Sequence, residues 1–249
     1  MTDEVVHYDL AGEVATITLD SPGNRNALSR QLVGELAERL REAAADEDAK
    51  VVLLRSSGRV FCSGADLSEA ADGGMEEGAR AIVALQRYLL AMDEPVVTRL
   101  DGPVRAGGIG LVAASDIVVA SEEADFALTE VKLGLAVAII SLTVHHRMDS
   151  RSAALRALGG MRFSAARAAE EGLVTTAVPA AEVDGAVDEV LAELVTGSRQ
   201  GLREAKWLLN RDLVARIDER GTEMADLSAR LFASEEAKQA MNAFLSRGR

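Results

Sequence analysis

The 249-residue chain is 48% hydrophobic and 27% charged, which suits a soluble protein with a sizeable core, built as one large domain or as a domain with a smaller appendage. Its 27 basic and 40 acidic residues leave a formal net charge of −13, which repels a phosphate backbone over most of the surface and argues against nucleic acid as a partner. The single cysteine, Cys62, excludes an internal disulfide framework and a thiolate zinc cluster.

The N-terminus, "MTDEVVHYDL", is acidic and shows no export signal, and no window approaches the roughly 20 apolar residues that span a bilayer, so a cytoplasmic location away from membranes is expected. "EVVHYDL" and "EVATITL" are β-rich runs around the turn "AG" and read as an antiparallel pair. "SRQLVGELAERLREAAADED" places Leu32, Leu36, Ala37 and Leu40 at helical spacing behind Ser29 as N-cap. "KVVLLRSSG" is a strand, "MEEGARAIVALQRYLLAMDE" a helix, "PVVTRLDG" a strand, "GGIGLVAASD" a short helix and "DIVVAS" a strand. This alternation predicts an α/β fold, with right-handed crossovers on a largely parallel sheet and ligands bound at loops beyond the strand ends. From about residue 148 the β signal fades, and the helical periodicity that follows, interrupted by "GLVTTAVP", predicts a helical C-terminal region. No linker or fixed-period repeat separates independent domains.

Two stretches follow strands and put small residues where side chains normally pack: "RVFCSGADL", residues 59–67, and "RAGGIGLVAASD", residues 105–116. Glycine lets a ligand approach the main chain, and the first N–H groups of a helix lack internal partners and carry the positive end of its dipole. Two such groups converging on one oxygen make an oxyanion hole, although a Gly-Gly turn taken alone is more often plain geometry.

The order and spacing of "FCSGADL", "GPVRAGGIGL" and "SDIVVASEEADFALTEVKLG", with "GNRNALS" upstream and "RFSAARAAEEGLVTTAVP" and "SEEAKQAMNAFLSR" downstream, closely resemble the crotonase superfamily of enoyl-CoA hydratases and isomerases. The resemblance covers nearly the whole chain. It implies a ββα spiral core over residues 1–190 holding an acyl-CoA site, and a helical region over residues 191–249 that assembles trimers or dimers of trimers. It implies an enoyl-CoA hydratase that uses a coenzyme A thioester and no other cofactor or metal. The N–H groups of Ala65 and Gly107 are then the oxyanion hole, Glu130 the general acid/base, and Arg25, Ala27, Leu28, Ser63, Ala65, Asp66 and Leu67 the binding strip for coenzyme A.

Departures from that pattern keep alternatives open. Hydratases of the family commonly carry two glutamates, and the first of those positions is Gly110 here. One carboxylate of raised pKa suffices to move a proton between C4 and C2, so a double-bond isomerase is the alternative, and an acyl-CoA-binding protein of low turnover a further one. The run "LAVAIISL", residues 135–142, places Val137 where relatives have proline; if Ile139 and Ile140 line the pocket they favour a short or branched acyl group. Glu76 and Glu77 read as a solvated acidic loop, Asp66 and Asp116 as ties for caps and loops, His145 and His146 as a surface pair, and Cys62 as a small buried hydrophobe. Arg247 stands near where relatives place a basic residue that reaches coenzyme A.

Overall fold

A computed structural model describes residues 4–69 and 75–247, with the side chains of 244, 245 and 247 excepted; the expectation for Arg247 therefore lies outside the described residues. β1 (Val6–Ala11) and β2 (Val14–Leu19) form the expected antiparallel hairpin, from Val6 opposite Leu19 to Ala11 opposite Val14. β3 (Val51–Ser56), β4 (Val96–Leu100), β6 (Ile117–Ser121) and β9 (Thr176–Val178) extend it in parallel, in the order β1-β2-β3-β4-β6-β9. A second sheet joins β5 (Val104–Arg105), β7 (Asp125–Ala127) and β8 (Phe163–Ser164).

The sheet is buried on both faces, as parallel strands require. Val52 and Leu54 of β3 point into the main core, whereas Val51 and Leu53 join Val97 and Val119 under Val183, Val187 and Leu191 of α7 (Val183–Thr196). Between β2 and β3 runs α1 (Arg30–Ala45), which starts where Ser29 Oγ accepts the Leu32 N–H at 3.2 Å and buries Leu32, Val33, Leu36 and Leu40. α2 (Met75–Ala91) connects β3 to β4. Glu76 and Glu77 lie in the first turn of this helix, as the helical reading of "MEEGARAIVALQRYLLAMDE" expects and the loop reading does not; there acidic residues meet the positive end of the dipole, and Glu76 pairs with Arg80 at 2.8 Å.

α3 (Gly107–Ala114) precedes β6, and α4 (Ala138–Arg147), α5 (Ser150–Gly159), α6 (Ala165–Glu170), α8 (Arg199–Phe232) and α9 (Glu235–Arg247) make up most of the C-terminal part. β8 and β9 break the helical region predicted after residue 148; strands of two and three residues are too short to show alternation, and β9 exists because β6 offers it a free edge. Residue 190 falls inside α7, and α8 packs along α2 and α4, so the two expected regions share a core. Where α8 crosses α2, an added Cβ on Gly221 would stand 2.8 Å from Val83 Cγ1.

Beneath this crossing lies a buried polar cluster. Lys206 Nζ donates to the carbonyls of Leu89 and Glu94 at 2.7 Å each and pairs with Asp116 Oδ2 at 2.9 Å. Asp116 also accepts the Val96 N–H at 2.9 Å and Asn210 Nδ2 at 2.8 Å, so it ties β4, β6 and α8 together. On the outer side of α8, Trp207, Leu208 and Leu209 are exposed.

Candidate active site

Three backbone runs lie side by side. The Leu28 N–H donates to Gly64 O at 2.8 Å and the Ser63 N–H to Arg25 O at 3.1 Å; on the other flank, the Arg105 N–H donates to Cys62 O at 2.9 Å. This close approach is why glycine recurs. Gly64 has φ +93°, and a Cβ there would be 3.0 Å from Ala106 Cβ, while a Cβ on Gly108 would be 2.7 Å from Cys62 Cβ.

Ala106, at φ 46° and ψ −123°, sits in a region that L-residues rarely adopt; its N–H donates to Ala127 O at 3.0 Å. This turn starts α3 at Gly107, whose N–H, as the first of the helix, has no acceptor within it. A Cβ on Gly107 would lie 4.0 Å from Ala65 N, so the two amides predicted to act together are neighbours. Among the described residues neither of these N–H groups has an acceptor. The arrangement can hold an anionic oxygen by main chain alone.

The β5–β7 pairing, Arg105 opposite Ala127, carries the chain from this turn to Glu130. Glu130 opens a short 3-10 turn, Glu130–Leu133, that closes at Gly134 with φ +69°. Its Oε2 is buried with no hydrogen-bond partner, and burial pushes its pKa from 4.5 up to about 7. A carboxyl with such a pKa both takes and returns protons near neutral pH. α9 closes over this turn: a Cβ on Gly134 would be 3.2 Å from Ala237 N, and Leu135 packs with Ala237, Met241 and the half-buried Leu67.

Gly110 lies one turn after Gly107 on the same face of α3. A side chain there has no room: its Cβ would overlap Ile140 Cγ2 and stand 3.0 Å from Gln86 Oε1. Gln86 is 2% exposed, accepts the Thr143 hydroxyl at 2.7 Å and donates to Ile139 O at 2.9 Å and Ile82 O at 3.2 Å. Ile140 is fully buried, whereas Ile139 is half-buried, so the two isoleucines do different things. Sequence reasoning missed Gln86 and Thr143, since a glutamine inside an amphipathic helix looks like any solvated position.

The remaining predicted residues divide into two groups. Ala27 and Leu28 are buried at the crossing, and Leu28 Cδ1 would be 3.0 Å from a Cβ on Gly107. Ser63 Oγ donates to Asn24 O at 3.1 Å; Asp66 accepts Asn24 Nδ2 at 3.3 Å and Ser68 Oγ at 2.6 Å, and so ties its own loop. Arg25 is exposed in a left-handed conformation with φ 60°. Cys62 is fully buried under Gly108, its thiol pushed up to about 12 by burial and held from reaction. His145 and His146 lie exposed in the last turn of α4, and among the described residues no group of three or more His, Cys, Asp and Glu could hold a metal. No helix of the described chain is long and apolar enough to cross a membrane.

Residues 9–249 match the family described as enoyl-CoA hydratase/isomerase. Among solved structures, an enoyl-CoA hydratase from Mycobacterium avium is 44% identical, with 99% of this chain and 98% of that one covered and a TM-score of 0.92. One from Mycobacterium avium subsp. paratuberculosis K-10 is 30% identical over 98% of this chain and 96% of that one, at a TM-score of 0.87. Another, from Shewanella pealeana, is 30% identical over 98% and 94%, at 0.79. With the family match spanning residues 9–249 and the fold shared at a TM-score of 0.92, the chain belongs to the enoyl-CoA hydratase/isomerase family, the crotonase superfamily.

Proposed function

We propose that this chain is an enzyme acting on an acyl-CoA thioester as an enoyl-CoA hydratase with one working carboxylate. The observation that supports the reading is Glu130 Oε2, buried without a partner and poised at about 7, on the segment paired to the turn that presents the Ala65 and Gly107 amides. The two N–H groups hold the thioester oxygen. Ionised Glu130 takes a proton from water, whose oxygen bonds to C3 while the C2–C3 double bond becomes an enolate, its charge on the thioester oxygen. Glu130 then returns the proton to C2, so one water is added and the enzyme is unchanged. The strip Arg25, Ala27, Leu28, Ser63, Ala65, Asp66 and Leu67 meets coenzyme A, and the exposed Trp207, Leu208 and Leu209 face a second copy in a trimer or a dimer of trimers. A cytoplasmic location suits this reading.

The closed space at Gly110 favours a second reading, double-bond isomerisation, in which Glu130 alone carries a proton from C2 to C4 of a β,γ-enoyl thioester. Incubation with crotonyl-CoA and, separately, with a β,γ-enoyl-CoA, followed by mass spectrometry and chromatography, separates the two. A gain of one water supports hydration; an isomer of unchanged mass moves the assignment to isomerase. Binding without any product leaves a low-turnover acyl-CoA-binding protein. Glu130→Gln should keep thioester binding and lower turnover at least ~100-fold; near-normal turnover would remove Glu130 from the chemistry.

A further inference from the structure

The Ala106 turn has to be held from outside. Its φ of 46° is one that an L-residue keeps only where neighbours over-determine it. The strand leading into it, β5, pairs with β7 through Val104 opposite Phe126 and Arg105 opposite Ala127 and no further. The side chain of Arg105 extends that short ladder. Its Nη1 donates to Val104 O at 3.0 Å and to Asp125 O at 2.8 Å, and its Nη2 pairs with Asp125 Oδ1. The arginine side chain is 16% exposed, so these bonds stand largely out of water and hold their partners firmly.

The backbone of Arg105 meets the other flank. Its N–H donates to Cys62 O at 2.9 Å, and a Cβ on Gly64 would stand 3.3 Å from Arg105 O. One residue therefore touches the run that ends in the Ala65 amide, precedes the turn that presents the Gly107 amide, and clamps the strand that leads to Glu130. Strand pairing alone does not call for a guanidinium here, since backbone groups make the ladder whatever the side chain. The Asp125 carboxylate meets the positive charge, so what Arg105 supplies to the paired amides is position rather than a free cation.

Resting on the oxyanion reading above, we propose that Arg105 is a positioning residue that, through Asp125, fixes the Gly107 amide against that of Ala65 and both against Glu130. Loosened amides lose more toward an anionic oxygen than toward a neutral carbonyl, because the charged partner gains most from aligned donors. Acetoacetyl-CoA reads this without turnover, since its enolate has an ultraviolet band that its keto form lacks, and butyryl-CoA reports plain thioester binding. Wild-type protein should raise the enolate band on binding acetoacetyl-CoA. Arg105→Met should lower the bound enolate-to-keto ratio at fixed pH at least ~10-fold while keeping butyryl-CoA affinity within about threefold. Arg105→Lys, which keeps the charge but lacks the fork that reaches carbonyl and carboxylate together, should fall between. Asp125→Asn removes the charge pair and keeps the carbonyl bonds; it stands in if Arg105→Met does not fold, with an expected loss of at least ~3-fold. An unchanged ratio in folded Arg105→Met, or in Asp125→Asn where that variant stands in, would make the arginine a strand clamp only and overturn the proposal. A wild type that binds both thioesters without the enolate band, or binds neither, sinks the oxyanion reading itself and this proposal with it.

Discussion

Replacing Glu130 by glutamine removes a carboxylate whose ionisation the fold opposes. In the unfolded chain this group titrates near 4.5; in the folded protein burial raises it to about 7. Between those values the native state holds a proton that the unfolded state has released, so stability falls as pH rises through the window and levels off above about 7. The displacement corresponds to about 3 kcal/mol, fully absent below pH 4.5 and fully expressed above the folded value. Glutamine does not titrate, but its amide enters a space where Oε2 has no partner, which adds a constant penalty of roughly 1–3 kcal/mol at every pH. The slope therefore carries the argument. Urea unfolding or thermal melting of both proteins at pH 5, 6, 7 and 8 should show the variant gaining on the wild type by about 2.5 kcal/mol, or roughly 5–10 °C in Tm, from the lowest to the highest pH, since part of the displacement is already expressed at pH 5. A difference that stays flat would show that the carboxylate is hydrated, and would remove the physical basis for a proton shuttle at this position.

The closed space at Gly110 makes a packing prediction. Gly110→Ala should destabilise by roughly 1–3 kcal/mol in the wild type but by much less in an Ile140→Ala background, which is itself less stable by roughly 2–5 kcal/mol because Ile140 is fully buried; a double-mutant cycle reads that coupling, and additive effects would mean the wall yields freely. In the polar cluster under α8, Asp116→Ala strands the Lys206 ammonium, the Val96 N–H and Asn210 Nδ2. Denaturation should show a cost of roughly 3–5 kcal/mol, and a loss under 1 kcal/mol would mean that water enters the cluster.

Local patterns made much of this architecture readable. Alternation marks the first hairpin, a continuous apolar run marks β3, and Ser29 caps α1 because a side-chain oxygen there meets an unpaired helix N–H. The glycines after two strands marked Ala65 and Gly107 only as places where backbone comes close, since such turns are more often plain geometry, and the family resemblance assigned the two amides their role. Less was readable around them. β8 and β9 depend on partners far away along the chain, and Glu76 and Glu77 carried two readings, the start of a helix and a glycine-bounded loop, of which the helix holds. Gln86 meets Thr143 across 57 positions, and no periodicity announces such a bond.

Glu130 was identified through the family resemblance; what the amino-acid order determines by itself is the succession of elements and the places where backbone must come close. These rest on propensities and steric needs that act within a few residues. Whether Glu130 is desolvated and whether Gly110 has room for a side chain depend on α2, α4 and α9 folding onto one crossing. Burial and free volume are properties of packed neighbours, and only the tertiary structure brings those neighbours together.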